Sequence, residues 1–213
     1  MLIIQKVFLA LTGFFICVFL IVHLGANALL LLPADQARGL YNGYSAALRH
    51  NPFILVVAYI NYACIIGHVI LAVLITIRNR QSKGPQGQVK SQAPSVTWTS
   101  QNMGLLGTLL LAFIVIHMAN FWYRVKFLNE DQDIYQLVMD LFKEPLYVFF
   151  YAAAMLPLGL HLAHGVKSAF KSLGLYHRKY LRWVAAGAVG YSWIVGLGFA
   201  VIPVVIYFRQ VGL

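Results

Sequence analysis

The chain has 213 residues, of which 61% are apolar and only 10% are charged, and its formal net charge is +10. Soluble domains carry roughly 25% charged residues. This chain therefore has more apolar surface than a water-soluble fold of its size can bury, which excludes a soluble enzyme and predicts an integral membrane protein.

Five stretches of the chain contain no Lys, Arg, Asp or Glu, and each exceeds the roughly 20 residues that a helix needs to cross a bilayer core. They cover residues 7–34, 50–77, 91–123, 145–166 and 183–208. We predict one all-α transmembrane domain over residues 1–213, with helices at about 4–32, 53–78, 99–126, 145–172 and 180–208. The first stretch is longer than the apolar part of a signal peptide, so we expect it to be a retained first helix.

The connecting segments are short. Residues 82–95 are rich in Gly, Gln, Ser and Lys, which predicts a flexible linker. Apolar residues between Ile134 and Leu141 recur at helical spacing, which predicts a short helix on the membrane surface, and residues 41–48 are a second such segment. Pro157 and Pro203 are expected to bend the fourth and fifth helices, because each removes a ladder hydrogen bond.

The charges predict the orientation. If the N-terminus is cytoplasmic, the inner face carries ten basic residues and no acidic residue, whereas the outer face carries six basic and all six acidic residues. This matches the positive-inside rule and predicts a multi-pass protein with its C-terminus outside. We expect the membrane to be a bacterial inner membrane. The inner basic residues are Lys6, Arg78, Arg80, Lys83, Lys90, Lys167, Lys171, Arg178, Lys179 and Arg182. Such a face could also dock an acidic protein partner; we do not expect nucleic acid.

Cysteine and carboxylate chemistry is disfavoured inside the membrane. Cys17 and Cys64 lie singly in separate helices, which disfavours an iron–sulfur cluster and covalent haem attachment. No carboxylate lies within the five spans, so a pump built on buried Asp or Glu is disfavoured as well. Histidine is therefore the residue type within the spans that we expect to form a functional site.

One histidine lies in each of the first four helices, three to four residues past the helix centre. The four are His23, His68, His117 and His161, and His164 follows one turn after the last of them. Because the helices alternate in direction, two of these histidines fall in the outer half of the membrane and two in the inner half. In an up-down bundle, helices one and three are diagonal partners, as are two and four. The sequence thus predicts facing His23–His117 and His68–His161 pairs, about 10 Å apart along the membrane normal.

Facing histidines in an apolar bundle are what a six-coordinate haem iron requires, so we predict two stacked b haems surrounded by the first four helices, with the fifth helix peripheral. Glycines near the histidines would let a flat macrocycle approach the backbone, although close helix packing explains them equally well; they are Gly13, Gly25, Gly67, Gly107 and Gly165. Zinc is a rival, but it takes about four clustered ligands. Hydrogen-bonded packing histidines are the other alternative. Two stacked haems would carry electrons between a partner protein and a lipid-soluble quinone.

The chain resembles a known family, the five-helix, two-haem cytochrome b membrane anchors of succinate dehydrogenase and fumarate reductase. The resemblance covers nearly the whole length. It is carried by "ALTGFFICVFLIVHLGAN" with His23, "LYNGYSAALRHNPF" before the second helix and "GH" with His68. Further along, "WTSQNMG" leads into "IVIH" with His117, and "HLAHGVKSAFKSLG" follows Pro157.

The resemblance implies roles for individual residues. His23 and His117 would bind the distal haem and His68 and His161 the proximal haem, because the family ligand in the last motif precedes the Gly by four residues, which selects His161 over His164. Trp98 matches a family position near the proximal propionates. Weaker candidates for the same contact are Gln101, Lys171, Lys6 and His164.

The resemblance also implies partners. A flavoprotein with FAD and the dicarboxylate site, together with an iron–sulfur subunit, would dock on the basic cytoplasmic face. Electrons would pass from succinate to quinone, or in reverse to fumarate, and this chain would be a non-catalytic subunit of the oxidoreductase. The quinone is expected to be menaquinone. Some two-haem relatives move protons through a membrane Glu, and the spans of this chain contain none.

A quinone site needs hydrogen-bond donors at the membrane edge. The outer-face candidates are Asn27, Tyr41, Asn42, Arg49, His50, Asn120 and Arg124, and the inner-face candidates are Trp98, Asn102, His164 and Arg182. Each could equally anchor the chain to lipid headgroups; we favour the outer face.

Two other functions stay open. A nitrate-reductase-type two-haem cytochrome b tends to place its ligands on two helices, whereas these histidines lie on four. A haem-free transporter would use the same histidines for packing or for protons.

Overall fold

The computed structural model describes residues 2–81, 97–128, 133–175, 177 and 179–212. The linker predicted at 82–95 lies outside them. The described residues form helices and no strand, in the order α1 (Leu2–Ala28, extended by a 3-10 turn at Leu29–Leu31), α2 (Ala34–His50), α3 (Pro52–Gln81), α4 (Trp98–Gln101), α5 (Met103–Met118), a π-helical turn (Ala119–Tyr123), α6 (Arg124–Phe127), α7 (Ile134–Leu141), α8 (Pro145–Ser172) and α9 (Leu181–Gln210).

Five segments are long and apolar enough to cross a membrane: Ile3–Leu31, Pro52–Gln81, Met103–Phe127, Pro145–Ser172 and Leu181–Gln210. The shortest has 25 residues, which as a helix is about 38 Å long against a hydrocarbon core of about 30 Å. The prediction of an all-α protein with five such helices is confirmed. α8 and α9 continue past Pro157 and Pro203, so neither proline ends its helix.

The third span is less regular than the single helix predicted over 99–126. Asn102 separates α4 from α5, and its Nδ2 donates a hydrogen bond to the Trp98 carbonyl oxygen at 2.9 Å. Two residues after His117, the helix widens into the π-helical turn. Such turns are rare and are often found at functional sites.

The order of helix contacts is simple. α1 packs against α3 and α8, and α5 packs against α8 and, less extensively, against α3. The molecule has two ends that carry different short helices. The α7 end carries α2, α7 and the C-terminus of α9, and the α4 end carries α4 and the N-terminus of α1.

The fifth span, predicted to be peripheral, is closely packed. α9 makes its largest contact with α8 and also contacts α1. The Tyr191 hydroxyl donates a hydrogen bond to the Cys17 carbonyl oxygen on α1 at 2.8 Å. Small residues explain the close approach, because a Cβ added at Gly196 would lie 3.4 Å from the Met155 carbonyl oxygen and 3.6 Å from the Gly159 Cα. α9 therefore packs closely on α8 and α1, and its principal contacts do not include α3 or α5.

We expect Gly196→Val to lower thermal stability, because the added side chain would have to push α8 and α9 apart. Overpacking of this kind costs about 1–3 kcal/mol. Thermal unfolding in detergent measures the effect. Gly190→Val is the matched control, since a Cβ at Gly190 on the same helix meets nothing within 4 Å. Equal losses for both variants would show that the α8–α9 contact is not tight at Gly196.

The buried core is concentrated at the α7 end. Its members come from the end of α1, from α2, α7 and α8, and from the last turns of α9; they are Leu30, Tyr41, Val138, Leu141, Phe142, Val148, Tyr151, Ile202 and Ile206. The apolar face of α7 thus packs on protein. Arg209 closes this end by donating to the carbonyl oxygens of Leu31 (2.7 Å) and Leu32 (3.1 Å), which have no partner within the helix.

Asp133 joins α2 to α7. Its carboxylate accepts hydrogen bonds from Asn42 Nδ2 (2.8 Å), from the Gln136 backbone N–H (3.0 Å) and from Arg38. Burial alone would raise the pKa of Asp133, but the three donors together hold that pKa below its ordinary value. Asn42 Oδ1 in turn accepts from the Tyr135 backbone N–H at 2.9 Å. The two short helices are therefore held together by polar contacts as well as by the core.

Asp133→Ala is expected to release α2. The pKa of Asp133 is lowered in the folded protein. The ionised carboxylate therefore contributes fully to stability above the ordinary Asp pKa of about 3.9, and this contribution is lost as the pH falls through the lowered pKa of the folded protein. At neutral pH, hydrogen exchange of the α2 amides should accelerate in this variant. Asp140→Ala is the control, since the hydrogen bonds of Asp140 go to Gln136 and Lys143, near its own position. Unchanged α2 exchange in Asp133→Ala would refute this role.

Candidate functional site

The structure brings His23 on α1 and His117 on α5 together in the half of the molecule nearer the α7 end. Their ring centres are 5.9 Å apart and their planes are at 83°. Two imidazoles that bind one metal atom from opposite sides, each at about 2 Å, have ring centres about 6 Å apart. The spacing of this α7-end pair is that of two axial ligands.

A second pair lies in the half nearer the α4 end. His68 on α3 and His161 on α8 have ring centres 6.4 Å apart and planes at 65°. α1 and α5 do not make an extensive contact with each other, and neither do α3 and α8. Each histidine pair therefore faces across the space between two spans. His164 does not join this pair; it lies one turn further along α8 and is half-buried, near Lys167 and Lys171.

Two glycine contacts give the separation of the pairs along the spans. A Cβ added at Gly13 would lie 3.2 Å from His68 Cε1, and one added at Gly107 would lie 4.0 Å from His161 Cε1. Gly13 is ten residues from His23, and Gly107 is ten residues from His117. Both intervals correspond to about 15 Å of helix rise. The pairs therefore lie at different levels along the spans, at a backbone interval longer than the separation of about 10 Å predicted from the sequence.

The glycines differ in what they face. Gly13 and Gly107 approach the rings of the α4-end pair, so small residues do lie next to that pair. A Cβ added at Gly25, Gly67 or Gly165 would meet nothing within 4 Å. Those three positions leave the surface of their helices open.

The nitrogens of the rings fit a metal centre. Nδ1 of His117 and Nδ1 of His161 are buried and form no hydrogen bond. An unpaired nitrogen in a dry interior is costly, and neutral imidazole is a common metal ligand. Among the described residues, no group of three or more His, Cys, Asp or Glu side chains is placed to hold a metal ion. Each pair by itself offers two ligands, which is the number that a haem iron takes from its protein in bis-histidine ligation.

Aromatic side chains surround the α7-end pair. Phe113 stacks on His117 at 5.7 Å, and Tyr151 on α8 lies 6.0 Å from the same ring. On the other side, Phe199 of α9 lies 5.6 Å from the His23 ring. A flat apolar macrocycle would meet apolar ring faces here. Tyr151 and Phe199 could not be singled out from the sequence, because their positions depend on contacts between distant helices.

Asparagine–tyrosine pairs lie one turn beyond each histidine of the α7-end pair. Asn27 Nδ2 donates to the His23 carbonyl oxygen at 2.8 Å, and the Tyr41 hydroxyl donates to Asn27 Oδ1 at 3.4 Å. Burial raises the pKa of Tyr41 to about 12, so its hydroxyl remains a donor at neutral pH. Asn120 Nδ2 donates to the Tyr151 hydroxyl at 3.0 Å. Polar donors thus accompany the histidines on this side.

The other residues predicted to contact haem propionates or quinone are more scattered. Trp98 and Gln101 lie on the short α4, which packs near α8, and the Trp98 side chain is 60% exposed. Lys171 lies in the last turn of α8. On the opposite end, Asn42 is engaged with Asp133, Arg49 lies in the last turn of α2, and Arg124 begins α6.

Thr12 was also missed in the sequence analysis. Its Oγ1 lies 3.3 Å from His68 Nδ1. The spacing offered a signal, since Thr12 precedes His23 by eleven residues, which is about three helical turns and places both on one face of α1. Asn61 is another buried polar side chain, 4% exposed, whose Oδ1 forms no hydrogen bond; it lies two turns before His68 on the same face of α3.

Comparison of the chain with protein-family models, with curated proteins and with solved structures finds no match.

Proposed function

We propose that the chain is the two-haem cytochrome b membrane anchor of a succinate:quinone oxidoreductase. In this proposal it carries electrons between an iron–sulfur partner and membrane quinone. The observation that carries the proposal is the presence of two facing imidazole pairs, with ring centres 5.9 and 6.4 Å apart, inside a chain of five apolar helices. The helix contacts support an up-down arrangement of the first four spans, since each histidine pair joins two spans that are not principal neighbours.

The residues of this chain would bind the haem irons and exclude water from them. His23 with His117, and His68 with His161, would hold two b haems, whose irons supply reversible one-electron transfer when bound. Phe113, Tyr151 and Phe199 would keep water from the pair nearer the α7 end. Trp98, Gln101, Lys171 and His164 remain the proposed propionate contacts near the other pair.

The charge distribution supports the proposed orientation. Of the described residues, the acidic ones lie on α2, on α7 or directly beside α7, all at the α7 end; they are Asp35, Asp133, Asp140 and Glu144. The described basic residues predicted on the inner face lie at the α4 end, where the flavoprotein and iron–sulfur subunits would dock; they are Lys6, Arg78, Arg80, Lys167, Lys171, Lys179 and Arg182. The positive-inside rule then makes the α4 end cytoplasmic, in a bacterial inner membrane.

The quinone, proposed to be menaquinone, would bind near the α7 end. The polar groups next to the histidines there support this side, because Asn27, Tyr41 and Asn120 form hydrogen bonds within one turn of the pair. Asn42, Arg49 and Arg124 are proposed as outer parts of the same region.

The test is isolation of the chain from its native membrane in mild detergent. We expect two partner subunits, one with FAD and one with iron–sulfur clusters, and succinate-dependent reduction of a soluble quinone analogue that is lost when the partners are stripped away. A partner with a molybdenum cofactor and nitrate reduction would instead support the nitrate-reductase-type cytochrome. A chain that purifies colourless would refute both and favour the haem-free transporter.

A further inference from the structure

The contact between Thr12 and His68 has a definite direction. The Thr12 hydroxyl carries one hydrogen, and two backbone oxygens of its own helix accept it, Phe8 at 2.9 Å and Leu9 at 3.0 Å. A threonine that hydrogen-bonds back to its helix in this way presents only lone pairs to its other neighbours. The neighbour at 3.3 Å is His68 Nδ1, and the Leu9 carbonyl oxygen also accepts from this ring, which favours Nδ1 as the nitrogen that donates.

That direction fixes the tautomer of the ring. A neutral imidazole carries one hydrogen and one lone pair, and the hydrogen bond made by one nitrogen decides the state of the other. With its hydrogen on Nδ1, His68 keeps the lone pair on Nε2. Because Gly13 has no side chain, the His68 ring can lie close to α1. A Cβ added at Gly13 would be 3.2 Å from His68 Cε1.

We propose that Thr12 is a positioning residue that holds His68 with Nδ1 protonated and Nε2 available to iron. The inference rests on the proposed function. A ligand imidazole whose N–H is hydrogen-bonded is the more basic ligand, and a more basic ligand favours ferric over ferrous iron. Thr12 therefore lowers the midpoint potential of the haem bound by His68 and His161.

The contribution of Thr12 is partial. The Leu9 carbonyl oxygen also interacts with the His68 ring, so an acceptor remains when the hydroxyl is removed. The Thr12 hydroxyl contacts the ring of His68, which belongs to the α4-end pair. The effect of Thr12 should therefore be confined to one of the two haems.

The experiment is a redox titration of the purified holoprotein, followed by the b-type absorption band and fitted with two one-electron components. Thr12→Val keeps the shape of the side chain and removes the hydroxyl. We expect the ferric-to-ferrous ratio of one component to fall about threefold to tenfold at fixed ambient potential, where tenfold corresponds to about 59 mV. The shifted component should be the one that His68→Ala removes, and Thr12→Ser should restore the wild-type value.

Thr76→Val is the matched control. Its hydroxyl also bonds back to its own helix, to the Ala72 carbonyl oxygen at 2.7 Å, and both haem potentials should be unchanged. A shift in the other haem, equal shifts in both variants, or no shift in Thr12→Val would overturn the inference while leaving the proposed function standing. If Thr12→Val binds no haem, Thr12→Ala repeats the titration with a smaller side chain. Wild-type protein without haem would refute the proposed function itself.

Discussion

Replacing His117 by alanine is expected to remove one of two bound haems and to leave the other in place. His117 and His23 are the facing rings of the α7-end pair, and a bis-histidine haem that loses one axial ligand loses half of its protein ligation. The other pair lies beside Gly13 and Gly107, ten residues along the spans from His23 and His117, and shares no ligand with it. A pyridine haem assay on the purified variant should therefore give half of the wild-type haem per chain.

The pairing itself is tested by comparing variants. His23→Ala should leave the same reduced-minus-oxidised spectrum as His117→Ala, because both remove the same haem. His50→Ala is the control, since His50 is an exposed residue at the end of α2, and it should keep both haems. If His23→Ala and His68→Ala abolish the same spectral component, the pairs are wrongly assigned.

His161→Ala is expected to remove the haem of the α4-end pair, whereas His164→Ala should leave both haems bound. The reason is geometric: the His161 ring faces His68 at 6.4 Å, and His164 is rotated by about 60° around α8 because three residues turn a helix by about 300°. The two variants change the same residue type one turn apart, so each controls for the other. Loss of a haem in His164→Ala, with both retained in His161→Ala, would reassign the ligand.

The sequence was sufficient for the spans because their signal is local. Charge-free stretches of more than about 20 residues depend only on neighbouring residues and on the thickness of a bilayer. The same holds for the choice of His23, His68, His117 and His161 as the residues to follow, since a histidine inside an apolar span is unusual in itself.

The separation of the pairs depends on how neighbouring helices slide past each other. The sequence estimate placed each histidine relative to the centre of its own helix. The actual register follows from packing, in which Gly13 of α1 meets His68 of α3, and a shift of a few residues between helices changes the separation by several ångströms.

Polar contacts between residues far apart in the chain could also not be predicted from the sequence. Asn42 and Asp133 are 91 residues apart, and Tyr191 and Cys17 are 174 apart. Neither pair belongs to a motif that spacing could reveal. For the same reason the close packing of α9, which depends on Gly159 and Gly196 meeting, was not predicted.

The central claim is that the two histidine pairs hold two haems, and the haem content of the purified chain tests it most directly. The chain should be produced in a host that supplies haem, purified in mild detergent, and assayed by the pyridine haem method together with a reduced-minus-oxidised spectrum. We expect two b-type haems per chain, falling to one in His117→Ala and to one in His161→Ala. A colourless wild-type chain that is folded by circular dichroism, with the same thermal stability whether or not haem is added, would contradict the account.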